Sequence, residues 1–227
     1  VRNKKADFKE IGRRFCIDQV LARILVNRGI TEDREIGKYL GGTLEELHSP
    51  HLMKDMDLLV ESLQEKIHSG KRIHVIGDYD IDGIMSAYVL LTGLSRVGGV
   101  ADAAIPHRMK DGYGINENLI DRAREMGADT ILTCDNGIAA LEAVAYAKSL
   151  GMTVLVTDHH DIPYVEENGE RKYVRSQADA IVNPKQQECS YPFSGICGAV
   201  VAWKVIQALY EAEGLPTDAY LEFLEQA

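Results

Sequence analysis

Three short segments of the chain carry residue types able to hold a divalent cation. The first, Gly77-Asp78-Tyr79-Asp80-Ile81-Asp82-Gly83, places carboxylates at alternate positions behind an apolar run at residues 73–76. Oxygen donors at that density suit a hard or borderline ion such as Mg2+ or Mn2+. A solvated acidic turn is a poor alternative, because turns rarely place three acids between two apolar segments. A calcium-binding loop also begins D-x-D-x-D-G. Its twelfth position must be a bidentate Glu, however, and here it is Val89, while a strand-like run replaces the helix that should precede it.

The second segment is Thr133-Cys134-Asp135-Asn136-Gly137, again at the end of an apolar run and opening onto a helical stretch. A single Asp in such a place is most often a helix N-cap, but sharing a sheet with the first loop favours a functional role for Asp135. The third is Thr157-Asp158-His159-His160-Asp161 behind residues 154–156. Adjacent histidines are expected to point in different directions. One would then be a ligand and the other would contact substrate, with Asp158 orienting an imidazole. An imidazole among the donors favours Mn2+.

Weaker candidates surround these. His107 and Arg108 stand before Gly112-Tyr113-Gly114, where the guanidinium could clamp a phosphate or simply face solvent. Tyr113 could pack against a sugar or base, or serve as hinge packing. Residues 195–199, with Gly195 and Gly198, open a helix whose free N–H groups could receive an anion; close helix packing explains the same small residues. Trp203 reads as core, His74 as a satisfied core histidine, and His48, His51 and His68 as surface residues without a partner pattern. Cys134 reads as a small buried hydrophobe, not a nucleophile.

The elements that must position these residues follow from hydrophobic periodicity. Helical spacing over residues 15–27, 31–40 and 56–68 predicts a helical region over residues 1–70. From residue 71 short apolar runs at 73–76, 103–105, 130–133, 153–156 and 180–182 alternate with helical stretches at 84–94, 116–126, 139–150 and 198–211. Residues 161–176 read as a polar loop. This alternation predicts an α/β fold, a parallel sheet of about five strands flanked by helices, over residues 71–227. In such sheets ligands gather at the carboxyl ends of the strands, where all three segments fall.

Composition bounds the function classes. The chain has 227 residues, 45% of them hydrophobic, enough for a sizeable core. No apolar run approaches the ~20 residues that span a bilayer, and the charged residues 1–15 do not resemble a secretory leader. The cysteines Cys16, Cys134, Cys189 and Cys197 lack metal-knuckle spacing, so a reduced, cytoplasmic protein is expected. A net charge of −10 argues against a broad basic surface, although a carboxylate-lined cation site contributes to that figure. Residues 220–225 open a new element without a stop signal and the chain begins with Val1, so a piece of a longer protein is expected.

GDYDIDG, CDNG and TDHH resemble, in order, the first three motifs of the DHH phosphoesterase superfamily. LARILVNRGI (residues 21–30), IPHRMKDGYGIN (105–116), VNPKQ (182–186) and SGICGAVVAWK (194–204) are similar to the flanking segments of one branch, the RecJ family of bacterial single-stranded-DNA exonucleases. The resemblance implies two divalent cations, Mn2+ or Mg2+. Asp80 and Asp82 would lie on opposite metals, with Asp135 bridging and His159 on the second. Asp78, Asp158 and His160 would support catalysis. It also implies a further ligand in a T-x-x-D motif beyond Ala227. The implied activity is 5′-to-3′ hydrolysis of single-stranded DNA in repair and recombination, with a helicase or single-strand-binding protein as partner and no membrane. The alternatives are a DHH phosphodiesterase for short oligoribonucleotides or cyclic dinucleotides, and a silent binding module. The latter is expected to have lost ligands that are intact here.

Overall fold

The computed structural model describes residues 5–109, 111, 112, 114–167 and 169–227. They fall into two compact units that divide between His48 and Ser49.

The smaller unit contains helices α1 (Phe8–Phe15), α2 (Gln19–Asn27) and α3 (Asp33–Gly41). The stretch expected to be helical from residue 15 begins earlier and breaks. Asp7 caps α1 by accepting from the Lys9 and Glu10 N–H groups, Cys16 takes a left-handed conformation, and Asp18 caps α2. Two acidic caps thus set two short helices. Ala22, Leu25, Val26 and Ile36 form its buried face.

The larger unit is built on α4 (Met56–His68), β1 (Arg72–Ile76), α5 (Ile81–Arg96), β2 (Val100–Ala104), α6 (Glu117–Glu125), β3 (Ala128–Cys134), α7 (Leu141–Ser149), β4 (Thr153–Thr157), β5 (Tyr164–Glu167), β6 (Glu170–Tyr173), β7 (Ala180–Val182), α8 (Gly198–Ala212) and α9 (Asp218–Leu221). Strands β2-β1-β3-β4-β7 form one sheet in that order, every neighbour parallel. Its faces alternate as the pleat requires. Ile73 and Val75 join one core with α4, α5 and α8, and Ile76 joins another with α6 and α7. The strand order reverses direction at β1 and β3, the switch point where such sheets leave a crevice at their carboxyl ends.

α4, which shares the periodicity of the helices before it, lies in this unit and contributes Met56, Leu59, Leu63 and Ile67 to its core. The segment expected to be a polar loop folds in part as an exposed antiparallel hairpin, β5–β6. Tyr164 and Tyr173 face each other across it with ring centroids 6.0 Å apart, and Arg171 lies over the Tyr164 ring. Cross-strand aromatic and cation–π pairs of this kind hold a hairpin that buries no core side.

Trp203 is core, its Nε1–H donating to the Tyr220 carbonyl at 2.9 Å. Beside it Lys204 is buried, its ammonium donating to Gln207 and lying over the Trp203 ring, and burial pushes its pKa down to about 8. His74 is only half satisfied. Its Nδ1 pairs with Asp102 on β2, whereas its buried Nε2 has no hydrogen-bond partner among the described residues. His51, expected without partners, pairs with Asp57 and Glu211. Among the described residues no helix is long and apolar enough to cross a membrane.

Candidate metal centre

The acidic loop after β1 is half helix. α5 starts at Ile81, earlier than the apolar spacing suggested, so Asp80 becomes its N-cap and accepts from the Gly83 N–H at 3.0 Å. Asp82 lies in the first turn, where a helix favours negative charge. The turn presses on the strand end. A Cβ on Gly83 would sit 2.5–2.6 Å from the Asp78 backbone.

Asp78 is buried, and its Oδ1 has no hydrogen-bond partner among the described residues. Burial, reinforced by the charge of Asp80, raises its pKa; the Tyr79 N–H, His160 and Arg108 act in the opposite direction. A buried carboxylate oxygen left in this state is costly unless something of opposite charge meets it.

Asp135 follows β3 in a left-handed conformation, φ 59°, which Asp tolerates better than most residues. Its N–H donates to the Thr157 carbonyl and its carboxylate is 1% exposed. Burial first, then the charges of Asp82 and Asp80, push its pKa to about 8, with His160 offsetting in part. Oδ1 lies 3.0 Å from His159 Nε2 and 3.9 Å from His160 Nδ1.

Asp158 organises the histidines. Its own N–H donates to the Val182 carbonyl at 3.0 Å. Oδ1 accepts from the His159 N–H, the His160 N–H and His160 Nδ1, and Oδ2 accepts from the Ile138 N–H. Burial alone would raise the Asp158 pKa; the bonds from His160 and Ile138 outweigh it, and the carboxyl is held below its ordinary range. The same Asp158 bond raises the pKa of His160. By gathering both backbone N–H groups onto one oxygen, Asp158 curls the loop. The two imidazoles, expected to point apart, have centroids 4.6 Å from each other.

The result is two donor groups. Ligand atoms of Asp78, Asp80 and Asp135 lie within 4.8 Å of one another, and so do those of Asp135, His159 and His160. Asp135 belongs to both. Oxygens with an imidazole edge are the donor set of a hard or borderline divalent cation, which would also neutralise the crowded carboxylates. Asp82 stands beside the second group, Oδ2 being 3.4 Å from His159 Nε2. Each of its oxygens also accepts a 2.7 Å hydrogen bond from the first turn of α8, Gly198 N–H to Oδ2 and Ala199 N–H to Oδ1.

Residues 72–225 match the sequence profile of the DHH family, N-terminal domain. The chain belongs to the DHH family. Both donor groups lie inside the matched span of this DHH domain. Among curated proteins it is similar to the single-stranded-DNA-specific exonuclease RecJ of Bacillus subtilis (strain 168), 36% identical over 201 residues, which cover 88% of this chain and 24% of that protein. RecJ of Salmonella typhimurium is 35% identical over 191 residues, 84% of this chain and 31% of that one. The chain thus spans about a quarter to a third of the length of these relatives. Of solved structures, exonuclease RecJ bound to manganese superposes with a TM-score of 0.65 at 30% identity, over 77% of this chain and 41% of that one. RecJ from Thermus thermophilus in complex with Mn2+ gives 0.67 at 25% identity, over 96% and 29%.

The remaining candidates of the DHH domain are placed less uniformly. The Arg108 guanidinium lies 5.2 Å above the Tyr79 ring, near enough for its charge to act on Asp78. His107 is engaged locally, its N–H donating to Asp111 and its Nδ1 accepting from the Met109 N–H. Gly198 stands against the centre, since a Cβ there would come within 2.7 Å of Asp135 Oδ1, whereas Gly195 meets the Phe193 ring. Tyr113 lies outside the described residues.

Two asparagines carry structural roles that sequence reasoning did not assign. Asn136 is buried; its Nδ2 donates to the carbonyls of Ile76 and Cys134 and its Oδ1 accepts from the Ile115 N–H. It locks the ends of β1 and β3 together beneath the two donor groups. Asn183 donates to the His160 carbonyl at 3.0 Å. Both stand inside the segments CDNG and VNPKQ, and the signal available in the sequence was an amide at the mouth of a strand, beside or facing a candidate ligand.

Proposed function

We propose that this chain carries the cation centre of a nuclease that hydrolyses single-stranded DNA from its 5′ end, within DNA repair and recombination. The observation that carries the reading is Asp135, shared by two donor groups at the switch point of the sheet. The similarity to RecJ proteins over most of the chain supports the substrate class.

In this reading Asp80, Asp82, Asp135 and His159 hold two cations, Mn2+ or Mg2+, and Asp78 and His160 position the site and the substrate phosphate. Each oxygen of Asp82 keeps a lone pair beyond the one used by α8. When bound, the cations supply Lewis acidity and a nucleophilic water at neutral pH. The protein does the rest. Asp158 fixes His160 through Nδ1, so the ring's other nitrogen is presented toward substrate. Arg108, steadied on Tyr79, provides a charged fork for a phosphate.

The test is Mn2+-dependent degradation of long 5′-phosphorylated single-stranded DNA beside duplex DNA, oligoribonucleotides and dinucleotides. Preferential loss of the single strand from its 5′ end is expected. Rapid loss of dinucleotides with the long strand intact would transfer the protein to the small-substrate branch. No hydrolysis of any substrate would leave a binding module.

A further inference from the structure

A cleft of about 550 Å³ lies beside the cation groups, lined by Ile115, Ile138, Ala139 and Ala140 together with Asp158 and His160. His160 also belongs to the donor group of Asp135 and His159, so the cleft and the cation centre share a side chain. The volume is in the range that takes one small organic group.

The Asn136 amide and the Ile138 N–H along its wall are already committed. Both Asn136 hydrogens go to main-chain carbonyls and its oxygen to the Ile115 N–H. The Ile138 N–H goes to Asp158, whose other oxygen is taken by the two histidines. Beside the His160 ring, Ile115, Ile138, Ala139 and Ala140 offer a ligand apolar side-chain faces. Such a wall attracts a flat or weakly polar group through area and dispersion, and has little with which to read hydrogen-bond patterns.

We propose that this cleft seats the nucleoside attached to the phosphate held at the cation centre, and that it accepts the four bases with little preference. This rests on the phosphodiesterase reading above. A nucleoside in the cleft is joined to its phosphate through the sugar, and His160, common to cleft and centre, marks where that phosphate must lie. Base-tolerant contact is also what processing of arbitrary sequence requires, since stacking and van der Waals contact are available to every base.

The experiment has a binding arm and a turnover arm. In the first, the deoxyriboside 5′-monophosphate of 2-aminopurine is titrated against the protein by fluorescence. Thymidine 5′-monophosphate is expected to displace it, and ribose 5-phosphate or inorganic phosphate to do so at least about tenfold less well. Ala139→Phe places a ring at the exposed edge of the cleft and is expected to weaken nucleotide binding about tenfold or more. Ala140→Leu is the second variant should the first fail to fold. Nucleotide affinity unchanged in the folded variants, or phosphate competing as well as nucleotide, overturns the proposal.

In the second arm, kcat/KM for thymidylyl-thymidine is divided by that for bis(4-nitrophenyl) phosphate. A fall of about tenfold in this ratio for either variant supports the cleft; parallel loss on both diesters, or no loss, overturns it. Absence of turnover in the unsubstituted protein defeats the nuclease reading alone, because the binding arm needs no hydrolysis.

Discussion

Asp82 Oδ2 accepts a hydrogen bond from the Gly198 N–H at 2.7 Å, joining the first turn of α5 to the first turn of α8 across 116 residues of chain. Two helix N-termini therefore converge on one carboxylate, and α8 reaches it only because residue 198 has no side chain. A Cβ there would come within 2.7 Å of Asp135 Oδ1.

Gly198→Ala is expected to force α8 away from Asp135 and take Asp82 with it. Displacing a group that orients ligands typically costs about 10–100-fold in metal affinity, and overpacking costs about 1–3 kcal/mol of stability. Isothermal titration with Mn2+ and thermal unfolding check both. Mn2+ affinity within about twofold of the unsubstituted protein would show that the helix contact does not shape the centre.

Asp135→Asn separates charge from shape. The Asp135 carboxylate is held near a pKa of about 8 by burial and by Asp82 and Asp80, so a neutral amide of the same size relieves repulsion in the cation-free protein. Its thermal stability is expected to be equal or higher. Added Mn2+ should no longer stabilise it, where saturation at about 100 times Kd would contribute about 2.7 kcal/mol to the native protein, and Mn2+-dependent hydrolysis should be lost. Retained turnover would show that the centre lies elsewhere.

The sheet and its ligand-bearing strand ends were legible because short apolar runs and carboxylates at strand ends are local signals. What eluded the sequence was set by contacts between distant residues. Asp80, Ile81 and Asp82 read as loop, since the helix start depends on Asp80 turning back onto the Gly83 N–H. The histidine pair reads as divergent until Asp158 collects both N–H groups. Asp82 read simply as a ligand candidate; its contact with α8 has no trace in spacing. α4 has the same periodicity as its predecessors, and only packing against α8 and β1 assigns it to the core. The β5–β6 hairpin is exposed on both sides, so the alternation that betrays a half-buried strand is missing from it.

Asn136→Ala removes the donors to Ile76 and Cys134 and the acceptor for the Ile115 N–H, all within the larger unit's interior. Main-chain groups stranded in this way cost about 1–3 kcal/mol each when water cannot reach them. The expected loss is about 3 kcal/mol in urea unfolding, with faster hydrogen exchange at Ile115. A loss below about 1 kcal/mol, with Ile115 still protected, would mean that the amide does not tie the two strand ends.

His51 supplies a pH-dependent clasp away from the cation groups. Its Nδ1 meets Asp57 on α4 and its Nε2 lies 3.1 Å from Glu211 on α8. The hydrogen bond to Asp57 is the main cause of a pKa above the ordinary imidazole value, with burial opposing and Glu211 adding to the rise. A group whose pKa is higher folded than unfolded holds extra protons in the folded state, so stability falls as pH rises between the two values. The contribution is therefore complete below about 6.5, the unfolded value, and disappears as pH climbs through the folded one. The side chain is 43% exposed, so solvent screening keeps the effect under about 1 kcal/mol. Thermal unfolding of the protein and of His51→Gln at about pH 5.5 and about pH 8.5, either side of the ordinary imidazole value, isolates it from other histidines. The two melting temperatures should differ more in the acidic buffer. An equal difference in both would show that the imidazole carries no extra proton in the clasp.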